Sequence, residues 1–228
     1  RWAQELAQSN RIQTALADSE GRFRELVECL PQPIWTCLPE GECDYLSPQW
    51  MSYTGMPAAG QLGHGWTRQV HSEDRQMAIE QWQEALARAQ PFDSEFRLRR
   101  ADGTYRWFHA HASPLRDNAG RLLRWLGTFT EIHDRKQAES MQARLAAIVE
   151  SSSDAVISKS LDGRILTWNK SAELMFGYSG EEIIGQSIFL LIPSDRQLEE
   201  TTLIELIKTG TRVQQYETIR RRKGGSCI

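Results

Sequence analysis

The stretch Asp162-Gly163-Arg164-Ile165-Leu166-Thr167-Trp168-Asn169-Lys170-Ser171-Ala172, with Phe176-Gly177-Tyr178 shortly after it, decides how the chain is read. Leu161-Asp162-Gly163 is a turn, because glycine supplies the backbone freedom that a tight reversal needs. The β-prone residues after the turn read as a strand, paired through it with the apolar run over residues 155–160. Residues 170–176 then read as a short helix, and Gly177 stands where a left-handed cap would end it.

The same grammar occurs earlier in the chain. Glu25-Leu26-Val27-Glu28 aligns with Ala147-Ile148-Val149-Glu150, Gly55 with Gly177, and Arg99-Arg100-Ala101-Asp102-Gly103 with Arg221-Arg222-Lys223-Gly224-Gly225, each at an offset of 122 residues. Asp74-Arg75 against Asp195-Arg196 gives 121, a one-residue gap. A period this long is a domain rather than a solenoid unit. In the first copy the pattern predicts a helix over residues 19–30, an apolar strand over 33–38, the turn Pro39-Glu40-Gly41 and a short helix over 48–53. The second copy repeats the opening helix over 140–151. Long helices are predicted over 72–88 and 194–208, and Ser72 and Ser194, with acidic residues just after them, read as their N-caps. The first copy continues with strands over 92–100, 105–115 and 122–130, turned at Asp102-Gly103 and Asn118-Ala119-Gly120. The fold class is therefore α+β with an antiparallel sheet. The second copy runs to just past the counterpart of Thr104, so its last two strands are expected to be lacking. Residues 213–222 are then expected to form a strand with an unpaired edge.

These residues resemble the PAS family with its PAC tail, over residues 23–136 in full and from 145 onward in part. Besides the opening stretch, Glu181-Glu182-Ile183-Ile184-Gly185 is typical of the family. Val70-His71-Ser72-Glu73-Asp74-Arg75 looks like its VHPEDR segment, with Ser for Pro. Asp102-Gly103-Thr104-Tyr105-Arg106-Trp107 and Asp117-Asn118-Ala119-Gly120-Arg121 resemble the PAC strands. Ser47 stands where the second copy has Asn169, a departure that weakens the side-chain cap on the following helix. The family's DIT motif is represented by Glu131-Ile132-His133, followed by Asp134-Arg135-Lys136. The resemblance makes Glu131, Ile132, His133, Asp134 and Arg135 the signal exit. It implies two tandem PAS folds, a five-stranded antiparallel sheet with flanking helices, joined by a helical linker, the second lacking its last two strands. The expected organisation is an N-terminal helix over 1–21, the first PAS domain over 22–132, a linker helix over 133–151 and the second domain over 152–228.

Composition bounds the function. The chain has 228 residues, 40% hydrophobic and 25% charged, with a formal net charge of -3, so no global basic field recruits nucleic acid. Arg220-Arg221-Arg222-Lys223 reads as a solvated strand end. Four cysteines, none in a CxxC pair, lack zinc or dithiol-oxidoreductase spacing and fit a reducing compartment. No apolar run approaches the ~20 residues needed to cross a bilayer. The chain opens inside a helical pattern without Met, as a fragment would, and a cytoplasmic location is expected, with a membrane anchor upstream left open. There is no phosphate loop, HExxH or GxSxG motif. Nor is there a histidine-kinase phosphoacceptor box or a GGDEF signature, so this stretch is not expected to be an enzyme.

Cofactors are not fixed by the fold. No Asn-Cys-Arg-Phe-type string is present for a cysteinyl flavin. His109 and His111 alternate with Phe108, Ala110 and Ala112 and are expected to face outward, with no third metal ligand at fixed spacing. No metal site is expected and no cofactor is favoured, while non-covalent flavin or haem stays open. Trp35, Tyr45, Trp50, Phe96, Phe108 and Trp125 are the candidate pocket-lining residues, with packed core as the plainer reading. In the linker Ala138, Met141, Leu145 and Ile148 step by three, four and three, an a/d seam. The seam either pairs two copies or packs on its own domain. Ile12, Leu16, Phe23, Leu26 and Leu30 continue a similar register upstream. The function read from all this is a signal-sensing and dimerisation input module of a larger protein, foremost a two-component sensor histidine kinase. A homodimer through the N-terminal and linker helices, a small-molecule ligand and a downstream kinase or other output domain are the expected partners. A ligand-free PAS dimerisation scaffold and the input region of a diguanylate cyclase or phosphodiesterase are the alternatives.

Overall fold

The computed structural model describes residues 13, 21–22, 25–213 and 215–228. The helix expected over 1–21 therefore lies outside the described residues except at residues 13 and 21, as do Ile12, Leu16 and Phe23; residues 25–29 are helical. The chain divides into two compact units, residues 1–137 and 138–228.

In the first unit a hairpin, β1 (Ile34–Cys37) and β2 (Cys43–Leu46), leads into α1 (Pro48–Thr54), two 3-10 turns and α2 (Ser72–Arg88). Three long strands follow: β3 (Phe92–Arg99), β4 (Tyr105–Arg116) and β5 (Leu122–Glu131). They form one antiparallel sheet in the order β2-β1-β5-β4-β3. Period-two alternation builds its inner face. Phe92, Ser94, Phe96 and Leu98 of β3 are buried, as are Phe108, Ala110 and Ala112 of β4 and Trp125, Gly127 and Phe129 of β5. Helix α2 covers this face with Ala78, Trp82 and Ala85, spaced four and three apart as one helical stripe demands. The Trp82 ring meets Trp35, Phe92 and Trp125 edge-on at centroid distances of 5.5, 5.2 and 5.2 Å. Such pairs add roughly 0.5–1.5 kcal/mol each beyond burial. Gly127 is required where it is, because a Cβ there would run into the Trp35 indole.

Helix α2 does not use Ser72 as its cap. His71 is the N-cap, and its Nδ1 accepts the Glu73 amide at 3.3 Å. Asp74, in the first turn, instead spans to β3, where its carboxylate accepts from the Arg97 amide (2.9 Å), Nε (2.8 Å) and Nη2 (2.7 Å). These bonds from the Arg97 guanidinium hold the Asp74 carboxyl below the usual carboxylate range, against the opposing effect of burial.

Helix α3 (His133–Ser151) runs without a break from the end of the first unit into the second. The second unit has a hairpin, β6 (Ile157–Lys159) and β7 (Ile165–Trp168), then α4 (Lys170–Phe176), α5 (Gly180–Ile183) and α6 (Gln197–Lys208). Its core is Ile165, Trp168, Ala172, Phe176, Ile183, Ile188, Leu191 and Ile192. Two expectations are corrected here. Residues 194–196 form a 3-10 turn, so Ser194 does not cap α6, whose N-cap position is Arg196 without a side-chain cap. The expected strand over 213–222 is also not a strand. Arg220 and Ile228 exchange backbone bonds at 2.9 and 2.8 Å and Arg222 donates to Ser226, closing a tight reversal with Gly225 at φ 84°. The Arg221 amide goes to the Leu191 carbonyl and the Lys223 amide to that of Phe176. The Arg220 side chain docks on buried Glu200, which also takes Lys159. The reason is local. With no strand alongside, backbone groups find partners in turns and helix ends, and the segment presents no regular edge.

Candidate functional site

Three places gather the side chains singled out by sequence. The first is the junction where the sheet hands over to α3. Glu131, last residue of β5, accepts from Arg106 Nη1 at 2.7 Å, and Asp134 lies 3.8 Å from the same guanidinium. The Ile132 amide donates to the Trp107 carbonyl at 2.9 Å, and the Trp107 amide reaches His133 Nδ1 at 3.4 Å. Arg135 Nη2 and Lys136 Nζ clasp Glu95 of β3 at 2.7 and 2.6 Å, and lower its carboxyl below the usual range. The Trp107 ring has two cations near it, Arg97 and Lys136, each 5.3 Å from its centroid. The five exit residues are thus brought together, with backbone bonds and ion pairs to β3 and β4. Of their partners, Arg106 and Trp107 belong to the PAC-like strand, while Glu95 carries no motif. Strand parity puts Glu95, Arg97 and Trp107 on the outer face, while Arg106 and Glu131 share the parity of the buried Phe108 and Phe129 at the sheet's end. Each exposed pair is worth only about 0.2–1 kcal/mol, so the junction can rearrange without unfolding the sheet.

On the outer face, His109 and His111 share Asp93 at 2.9 and 3.2 Å, opposite the buried Phe108, Ala110 and Ala112. Among the described residues no group of three His, Cys, Asp or Glu side chains is arranged to hold a metal ion.

The second place is where each unit grips its incoming helix. Asn169 is only 1% exposed and makes four bonds. Its Oδ1 accepts the Val156 and Ala172 amides at 2.9 and 3.0 Å, and its Nδ2 donates to the Val149 and Asp154 carbonyls at 2.9 Å each. Ser171 Oγ adds a bond to the Ser152 carbonyl at 2.6 Å. In the first unit Ser47 makes no side-chain cap, and its Oγ accepts only the Ile34 amide at 2.9 Å. The amide has moved two residues on. Gln49 Nε2 donates to the Val27, Glu28 and Leu30 carbonyls at 3.3, 2.9 and 2.8 Å. Ile34, Val27 and Leu30 lie 122 residues before Val156, Val149 and Ser152, so three of these bonds are closed in both units with exchanged side chains.

The third place is the interior. A small cavity is lined by Trp35, Cys43, Leu46, Trp66, Trp82, Phe92 and Phe129 and leaves free space of about 10 Å³, the room of one water-sized sphere. Of the six aromatic candidates only Trp35 lines it. Trp50, Phe96, Phe108 and Trp125 are buried in the core around it. Tyr45 is half-buried, because β2 buries Cys43 and Leu46 and leaves the two residues between them partly exposed. A ligand pocket ordinarily needs about 300–1,000 Å³. As packed, the cavity fits neither a flavin nor a haem; no histidine lines it, and either group would enter only by displacing rings such as Trp35 and Trp82.

Residues 44–129 and residues 143–227 each match a family described as PAS fold. The chain is a tandem pair of PAS domains. An RNA-binding light-oxygen-voltage receptor of known structure superposes on 56% of the chain and 37% of its own, with a TM-score of 0.50 at 22% identity, which supports the PAS fold alone. Among curated relatives, the uncharacterized protein y4lL of Sinorhizobium fredii is 29% identical over 99% of the chain. The peroxide stress-activated histidine kinase mak1 of Schizosaccharomyces pombe is 31% identical over 55% of it, and the probable diguanylate cyclase DgcE of Escherichia coli 29% over 56%. The chain spans 28%, 8% and 12% of these three proteins, respectively. The PAS pair is thus a sensory region similar to those of histidine kinases and diguanylate cyclases, with no catalytic domain evident in the chain. Among the described residues no helix is long and apolar enough to cross a membrane.

Proposed function

We propose that this PAS pair is the signal-input and dimerisation region of a two-component sensor histidine kinase. The observation that carries the reading is the junction at Glu131–Lys136: the sheet of the first domain is bonded directly to the first turn of α3. A change in β3–β5 therefore reaches the helix through Glu95, Arg106 and Trp107 rather than through a loose linker. Met141, Leu145 and Ile148 on α3 are 57%, 56% and 56% exposed, and Ala138 is exposed as well. A stripe of this spacing on a helix suits pairing with the same helix of a second copy. With the interior filled, we infer that the first domain carries neither flavin nor haem in this packing; a flavin or haem band in the visible spectrum of the natural full-length protein would refute that.

The output is tested on the natural full-length protein supplied with labelled ATP and GTP. Label from the γ-phosphate of ATP on a histidine supports the kinase. Cyclic dinucleotide made from GTP instead favours the cyclase reading, for which the resemblance to DgcE speaks. Neither product would leave the ligand-free scaffold as the better account.

A further inference from the structure

The hairpin of the first domain carries two cysteines on one rung. Cys37 of β1 stands opposite Cys43 of β2, next to a bulge between Thr36 and Cys37. Both backbone groups of Cys43 bond to Gly63, its N–H at 3.0 Å and its carbonyl at 2.7 Å, so none is left for Cys37. The two are thus a non-hydrogen-bonded pair, the kind whose Cα atoms approach to about 4.5 Å and whose side chains are closest. Disulfides need Cα separations of about 4.4–6.8 Å. Both side chains point into the same core and are 1% and 4% exposed. The Cys43 thiol donates to the Tyr45 carbonyl at 3.4 Å.

Packing alone does not ask for this pair. The corresponding rung of the second domain, 122 residues on, is Lys159 opposite Ile165. Only Cys43 lines the cavity, so a small molecule that enters meets its sulfur first. The neighbouring Cys37 thiol lowers Cys43 from the usual thiol range, against burial, while the neighbouring Cys43 and burial raise Cys37.

We propose that Cys37 and Cys43 are a redox site that a small hydroperoxide converts into a cross-strand disulfide. The Cys43 thiolate attacks one peroxide oxygen, the O–O bond breaks, and Cys43 becomes a sulfenic acid with release of hydroxide. The Cys37 sulfur then attacks the Cys43 sulfur, the S–O bond breaks, and hydroxide leaves, taking up the Cys37 proton as water. Two thiols and one hydrogen peroxide give one disulfide and two waters, the two electrons passing from sulfur to oxygen. A dithiol reductant reverses the step by exchange. Cys37 is also the rung partner of Trp125 on β5, the strand that ends at Glu131, so the new bond sits on the route to the exit. The site stands on the first domain alone and does not depend on the proposed output.

The test uses the full chain with the exposed Cys29 and Cys227 replaced by Ser, treated with hydrogen peroxide in native buffer and in urea, then alkylated and mapped without reduction. The site predicts a mass loss of about 2 Da in the folded protein, a linked Cys37–Cys43 peptide and recovery of both thiols with dithiothreitol. In C37S, Cys43 should be trapped as a dimedone adduct; in C43S, Cys37 should stay a thiol. The proposal is overturned if both thiols stay alkylatable under peroxide that oxidises Cys29 in the wild-type chain. It is equally overturned if the link forms only in urea, or if dimedone marks Cys37 rather than Cys43.

Discussion

Replacing Asn169 by Ala should unlatch the second PAS domain from its incoming helix far more than replacing Ser47 by Ala affects the first. Asn169 makes two accepted and two donated bonds, all between 2.9 and 3.0 Å. A buried hydrogen bond is worth about 0.5–1.5 kcal/mol net, and an N-cap about 1 kcal/mol. Four such bonds place the loss at about 3–4 kcal/mol. Ser47 Oγ makes one bond, to the Ile34 amide, and its loss should cost about 1 kcal/mol. The assay is native-state hydrogen exchange on the full chain, comparing the slowest amides of each unit. At about 1.4 kcal/mol per decade, Asn169→Ala should raise exchange in the second unit by two to three orders of magnitude. Ser47→Ala should raise it in the first by about fivefold. Equal effects at the two positions, or less than a tenfold effect for Asn169→Ala, would refute the view that this asparagine is the latch.

Three further outcomes follow from the same geometry. Gln49→Ser should speed exchange at residues 25–30, and adding Ser47→Asn should restore protection, since the pair then matches the second domain; no rescue would mean that the two latches are not equivalent. Gly127→Ala should lower the urea midpoint of the first domain by an amount worth about 1–3 kcal/mol, because the methyl is driven into Trp35. Asp74 is depressed by Arg97 in the folded state, so its contribution is fully present above the unfolded value of about pH 4 and is lost as pH falls through the lower folded value. Asp74→Asn should therefore weaken the protein at neutral pH and flatten its acid-unfolding curve, while an unchanged curve would show that the ion pair contributes nothing.

The fold was legible because its grammar is local. Glycines at Gly55, Gly103, Gly120, Gly163 and Gly177 take positive φ, and the alternation of Phe92–Leu98 and Phe108–Ala112 marks the inner face. The two caps misread at Ser72 and Ser194 show where local chemistry is ambiguous: His71 can accept the same amide, and a 3-10 turn can precede a helix without a side-chain cap. The expected strand over 213–222 failed for a non-local reason, since a strand exists only beside a partner. The site was half legible. Glu131–Arg135 could be placed by resemblance, but Glu95 and Arg106 meet them from strands 25 or more residues away. The migration of the latch amide from the Ser47 position to Gln49 shows only once Val27 and Val149 are seen in the same role. The cavity residues Trp82 and Phe92 depend on how α2 lies over the sheet, which periodicity orients but does not dock.

The central claim is that α3 carries the state of the first domain to the output. It is tested most directly by measuring the basal output of the natural full-length protein with Leu145→Asp and Ile148→Asp, beside the urea midpoint of its first domain. The account predicts a several-fold change in output with that midpoint unchanged. Output equal to that of the unmodified protein, with the seam disrupted in this way, would contradict it.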